Sequence, residues 1–208
     1  VEVLERSPDE QEPPCPHAGR CGGCSWQSLA YGRQLAWKER IVHDALERVG
    51  KVACPPMLPI LPSPSEWGYR NKMEFAFGVS GDGGKALGLR ERGSRNIVEV
   101  TGCLLQTPLT MRVLEAVRML SNGVFHDLDG RFLVVREPNA GGCFVELIVG
   151  AGGSLEAGER FAEALRAETP EVTGFALSER LAPSDVAYGE RALYADGRLE
   201  ERIGDVRL

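Results

Sequence analysis

The chain is poor in histidine, has no long apolar run and lacks the common catalytic signatures. His17, His43 and His126 share no ligand spacing with one another. No pair of histidines one helical turn apart, no glycine-rich phosphate loop ending in lysine and no Ser/His/Asp set occurs, so the 208 residues hold no complete catalytic apparatus. No stretch of about 18 apolar residues is present, which excludes a membrane-spanning helix, and no leader-like segment opens the chain. These absences predict a cytoplasmic protein with no membrane partner. Hydrophobic residues at 43% and charged residues at 26% are ordinary globular values and argue against disorder. The length is enough for a real core, in one large or two small domains.

Six cysteines stand out against this background. In a cytosolic chain of this length they favour metal binding over a disulfide framework, because that compartment keeps thiols reduced. Three fall within ten residues as Cys15-x5-Cys21-x2-Cys24. Gly22 and Gly23 allow the backbone to fold tightly and to bring amide N–H groups near anionic sulfur. A [4Fe–4S] cluster and a structural zinc ion both need a fourth ligand. Cys103 is the best candidate, placed after an apolar strand-like run and beside Gly102. Cys54 precedes Pro55-Pro56 in a linker, and Cys143 opens an alternating strand, so both read as packed thiols. Zinc sites more often pair two Cys-x2-Cys knuckles, and this chain has one, which ranks zinc below iron–sulfur.

The formal net charge is −6, which at first speaks against a nucleic-acid partner. The charge is uneven, however. Residues 20 to 95 hold 12 Lys/Arg against 7 Asp/Glu, a local excess of +5, and the remainder carries −11. Basic and aromatic residues interleave from Trp67 to Phe77, and Arg90, Arg92 and Arg95 lie on or beside one hairpin. On a sheet face such arginines could hold phosphates of unpaired RNA while an aromatic ring such as Tyr69 stacks a base. Met73, Phe75 and Phe77 read instead as core.

Taken in order, residues 1 to 14 read as a short strand-like piece and an acidic linker. Trp26 to Val49 has helical periodicity, stopped by Gly50. Pro55 to Pro64 holds five prolines and must be extended. Gly68 to Gly78, Ala86 to Arg92 and Ile97 to Thr101 predict an antiparallel meander that delivers Cys103. A helix over Thr110 to Leu120, a hairpin of Phe132 to Glu137 with Cys143 to Val149, a helix over Leu155 to Ala167 and a strand over Val172 to Ser178 follow. Short β pieces punctuated by Gly189, Gly197 and Gly204 close the chain. The fold class is α+β, mainly antiparallel sheet with packed helices and an N-terminal Cys-rich iron–sulfur loop. Glu146 to Ser154 imitates a nucleotide-binding turn, but the sixth position is Leu155 and neither a parallel βαβ series nor a downstream acidic residue supports it.

Cys15-x5-Cys21-Gly-Gly-Cys24-x2-Gln27 with Leu29, Tyr31, Gln34 and Lys38, then Tyr69-Arg-Asn-Lys72, Leu87-Gly-Leu-Arg-Glu-Arg-Gly-Ser94 and Cys103, resembles the RNA uracil-5-methyltransferases. The likeness is to their iron–sulfur-containing branch, which acts on 23S ribosomal RNA, and it runs from about Cys15 to the C-terminus, weaker after residue 130. It implies a [4Fe–4S] cluster on Cys15, Cys21, Cys24 and Cys103, and the basic excess over residues 20 to 95 predicts RNA contact through Lys38, Arg70, Lys72, Arg90, Arg92 and Arg95. Residues 1–12 would end a TRAM-type β-barrel or form a linker, and residues 13–208 would be the central iron–sulfur, RNA-contacting domain. The S-adenosylmethionine domain, with its nucleophilic cysteine and general base, has no counterpart here, so the chain resembles a fragment that would not methylate alone. A stand-alone iron–sulfur redox carrier and a structural zinc module are the rival classes.

Overall fold

A computed structural model describes residues 5–150, 152–183 and 185–207. Of residues 1–14, expected to hold a short strand-like piece and a linker, residues 1–4 lie outside the described residues, and residues 5–14 form turns and one isolated bridge, Glu10 with Leu29. Backbone proximity divides the chain into two compact units, one of residues 1–18 and 24–66, the other of residues 19–23 and 67–208.

The first unit is built on α1 (Tyr31–Asp44), which runs on into a π-helical turn over Ala45–Val49. The helix starts at Tyr31 rather than Trp26 because the preceding residues are committed to a loop. Ala30 is extended, and the Gln34 side-chain amide donates to the carbonyls of Trp26 and Leu29 at 3.1 and 2.8 Å. Gln27 in turn accepts the Cys15 N–H at 3.3 Å, and Glu10 forms an isolated bridge with Leu29. No residue of α1 is buried. The proline-rich connector is extended as expected and is held by Glu39, which accepts the Ile60 N–H, and by the Tyr31 hydroxyl, which accepts the Ser63 N–H.

The second unit is a sheet with helices on one face. Its elements are β1 (Lys72–Val79), β2 (Lys85–Arg90), β3 (Ile97–Val98), α2 (Pro108–Asn122), β4 (Gly130–Arg136), β5 (Cys143–Val149), α3 (Leu155–Glu168), β6 (Val172–Glu179), β7 (Arg191–Gly197), β8 (Arg202–Ile203) and β9 (Val206–Arg207). Among the described residues, seven strands form one sheet in the order β3-β2-β1-β4-β5-β6-β7, and β8 pairs with β9. All pairings are antiparallel except β5 with β6, which are parallel and joined by α3. That crossover was not expected from the sequence, yet β5 carries its mark. Val145, Leu147, Ile148 and Val149 are all buried, the near-continuous apolar run of a strand covered on both faces.

Register puts one core row across the sheet: Phe75 opposite Leu133, Leu133 opposite Leu147 and Leu147 opposite Leu177, each 1% exposed or less. Met73, Phe75 and Phe77 share the helix-facing side, so the core reading of these residues holds. Helix α3 covers this side with Phe161, Ala162 and Leu165, and α2 with Val113, Leu114, Val117 and Leu120, the spacing of an amphipathic stripe. Both helices are capped. Thr107 accepts the Thr110 N–H ahead of Pro108, and Ser154 accepts the Ala157 N–H. The opposite side of the sheet has a small cluster of its own, including Ala76, Ala86, Ile97, Phe132 and Ile148, on which Ala187 packs.

Two glycines of the imitation nucleotide turn are explained by packing, and Gly152 by its φ of +98°. A Cβ on Gly153 would meet Leu193 at 2.5 Å, and one on Gly150 would meet Asp129 at 2.1 Å. Among the described residues no helix is long and apolar enough to cross a membrane.

Candidate functional site

The cysteine loop enters the second unit through residues 19–23. This segment lies antiparallel to the end of β2: Gly22 donates to the Arg90 carbonyl at 2.9 Å, Arg92 donates to the Arg20 carbonyl at 2.8 Å, and Cys21 bridges Glu91. Gly22 suits this close approach, since a Cβ would sit a tight 3.1 Å from the Arg90 carbonyl oxygen. The Gly23 N–H points at Cys21 Sγ, 3.4 Å away, the amide-to-sulfur donation that the glycine pair predicts.

Cys103 is fixed from both sides. Arg118 of α2 reaches across to donate to the carbonyls of Leu87 and Val100, and Gln106 donates its backbone N–H to the Cys103 carbonyl. Gly68 and Arg70 donate to the carbonyls of Leu104 and Leu105. Cys21 and Cys103 are both half-buried and pack against the same core. Gln106 is buried, and its side-chain amide has no hydrogen-bond partner among the described residues.

Cys15 and Cys24 are half-buried in the first unit. Among the described residues no group of three or more His, Cys, Asp or Glu side chains is gathered closely enough to hold a metal ion. Four thiolates are the donor number and chemistry that an iron–sulfur cluster takes, and of the four expected, Cys21 and Cys103 sit against the core of the second unit. Cys143 is different. It is fully buried at the start of β5, and burial, reinforced by the charges of Glu137 and Glu171, pushes its thiol up to about 12. It stays protonated and packs as a small apolar group. Cys54 is half-buried in the proline-rich connector, its thiol 3.6 Å from the Pro55 carbonyl.

The basic residues expected at an RNA face are dispersed. Lys38 is exposed on α1 of the first unit. Arg70 precedes β1, and Lys72 opens it in an ion pair with Glu74. Arg90 ends β2, and Arg92 and Arg95 lie in the turn to β3. That turn is locked by Glu91, which accepts hydrogen bonds from Ser94 at 2.8 Å and Asn96 at 3.1 Å; these bonds hold its carboxyl below the usual range. Arg90 donates to the Arg95 carbonyl and to Asp185, both at 3.0 Å. Arg90 and Arg95 line one cavity of about 310 Å³ with Arg131, Phe77, Phe132, Pro183 and Asp185. Arg131 and Phe132 were not singled out in the sequence, although they form a basic–aromatic pair, because they sit in the acidic part of the chain.

The chain is similar over nearly all its length to proteins named uncharacterized RNA methyltransferases. One from Nitratidesulfovibrio vulgaris is 45% identical, covering 99% of this chain and 47% of the relative. One from Caldanaerobacter subterraneus is 32% identical over 100% of this chain and 48% of its own. One from Halalkalibacterium halodurans is 26% identical over 100% and 47%. The chain thus spans about half the length of the curated relatives it matches. No protein-family model matches it.

Proposed function

We propose that the chain is the iron–sulfur, RNA-contacting portion of an S-adenosylmethionine-dependent RNA (uracil-5-)-methyltransferase acting on 23S ribosomal RNA. The observation that carries this reading is the end-to-end similarity to relatives named RNA methyltransferases. The cysteine pattern supplies the rest: Cys15, Cys21, Cys24 and Cys103 would hold a [4Fe–4S] cluster. When bound, that cluster supplies four metal–thiolate bonds that join a loop to a remote segment of the chain. Methyl transfer moves no net electrons, so its role here is structural. The chain's own residues prepare for it. The Gly23 amide already donates to the Cys21 sulfur, Arg118 fixes the segment leading to Cys103, and the unpartnered carboxamide of Gln106, three residues beyond Cys103, is suited to donate to anionic sulfur. Binding of S-adenosylmethionine and the methylation chemistry would belong to the part of the relatives that this chain does not span.

The test is iron and acid-labile sulfide analysis of protein prepared without oxygen. Both should be present, and Cys103→Ser should remove most of each, while Cys54→Ser and Cys143→Ser leave them unchanged. Zinc in place of iron, or iron retained by Cys103→Ser, would exclude the assignment.

A further inference from the structure

We propose that the cavity between the β2–β3 turn and β4 is a subsite for one unpaired nucleotide of RNA, with Arg95 and Arg131 holding its phosphate. The proposal rests on the reading of RNA as partner given above, and it adds a residue, Arg131, that neither charge pattern nor resemblance points to.

Three features make this a built site rather than a scatter of surface arginines. First, Arg131 is the extra residue of a β-bulge. Gly130 pairs with Val149 and Phe132 with Ile148, leaving Arg131 unmatched, and bulges re-aim a side chain out of the strand's regular alternation. Second, the ring of Phe77 is fitted against Gly130: a Cβ there would lie 2.9 Å from it, so only glycine leaves the ring in place. Third, the turn carrying Arg95 is held by Glu91 through Ser94 and Asn96, and the Arg95 side chain itself has no hydrogen-bond or ion-pair partner among the described residues.

Arg90 is engaged by Asp185, and Arg131 by Asp129 at 3.1 Å, so three guanidinium groups face two carboxylates and the surplus is positive. A volume of about 310 Å³ is at the low end for a ligand pocket. It suits a single nucleotide and is too small for a duplex. The exposed lining is mainly polar, since Phe132 is 8% exposed in the cluster opposite the helices and Phe77 packs on the helix-facing core, so recognition falls to the guanidinium groups and the phosphate they meet.

Binding of a fluorescein-labelled oligouridylate to the 208-residue chain, titrated between about 50 and 200 mM salt, tests this. Arg95→Ala and Arg131→Ala should each weaken binding about three- to tenfold and lower the salt slope by about 0.7. Arg198→Ala, which removes an exposed charge from the same unit, should change neither. Circular dichroism verifies folding of each variant, and Arg131→Lys should restore the slope. If the chain binds the oligonucleotide but the Arg95 and Arg131 variants match Arg198→Ala, or duplex RNA competes equally well, the subsite is wrong and RNA contact stands. Absence of binding even at low salt would overturn both.

Discussion

Asp196 shows how much one side chain can hold together at the far edge of the sheet. Its carboxylate accepts two hydrogen bonds from the Arg166 guanidinium, another from the Tyr194 hydroxyl, and the Phe175 backbone N–H at 3.1 Å, linking α3, β6 and β7. The Arg166 bonds come first among the causes that hold its pKa down at about 2 against an ordinary 3.8. A carboxyl depressed in the folded state stabilises above its unfolded pKa, and the contribution fades as pH falls from about 4 towards 2. Asp196→Asn should therefore cost about 1–3 kcal/mol at neutral pH, measured by urea unfolding. The same variant should flatten the loss of stability between pH 4 and pH 2. An unchanged acid limb would mean that the network contributes little.

Between β2 and β3 the chain depends on a close approach rather than on side chains. A Cβ on Gly88 would stand 2.1 Å from the Val98 carbonyl oxygen, backbone that cannot swing aside. Gly88→Ala should destabilise by about 1–3 kcal/mol and raise hydrogen exchange first at Leu89 and Arg90, the residues paired with β3. Protection unchanged at these amides would contradict the packing described.

Most elements of the second unit were legible because each has one wet or loop-bounded side: Met73, Phe75 and Phe77 alternate with Lys72 and Glu74, and Phe161 and Leu165 recur at helical spacing. The parallel β5–β6 pair is only half legible: the apolar run of Val145 and Leu147 to Val149 marks a strand covered on both faces, but the direction of its neighbour is set by how α3 packs back on the sheet. The start of α1 was misplaced by five residues because Gln34 and Gln27 spend their side chains on the loop before it. At the candidate site, Arg90 and Arg95 were legible from charge. Arg131 was not, since its placement comes from a one-residue bulge that appears only when β4 meets β5.

At the scale of the whole molecule, an acidic chain of net charge −6 carries a basic excess over residues 20 to 95, which include the two arginines that share a cavity with Arg131. A protein of this balance should meet RNA through a restricted face and be repelled elsewhere, with binding steeply dependent on salt. The relatives, about twice as long, are named RNA methyltransferases. On the proposed reading, the most direct test is methyl transfer by a protein of the relatives' length that includes these 208 residues. It would be given labelled S-adenosylmethionine and unmodified 23S ribosomal RNA, and the RNA digested and analysed by mass spectrometry. The account predicts 5-methyluridine, reduced by Arg95→Ala with Arg131→Ala, and none formed by the 208 residues alone. Label on a different base, or on the ribose, would contradict it.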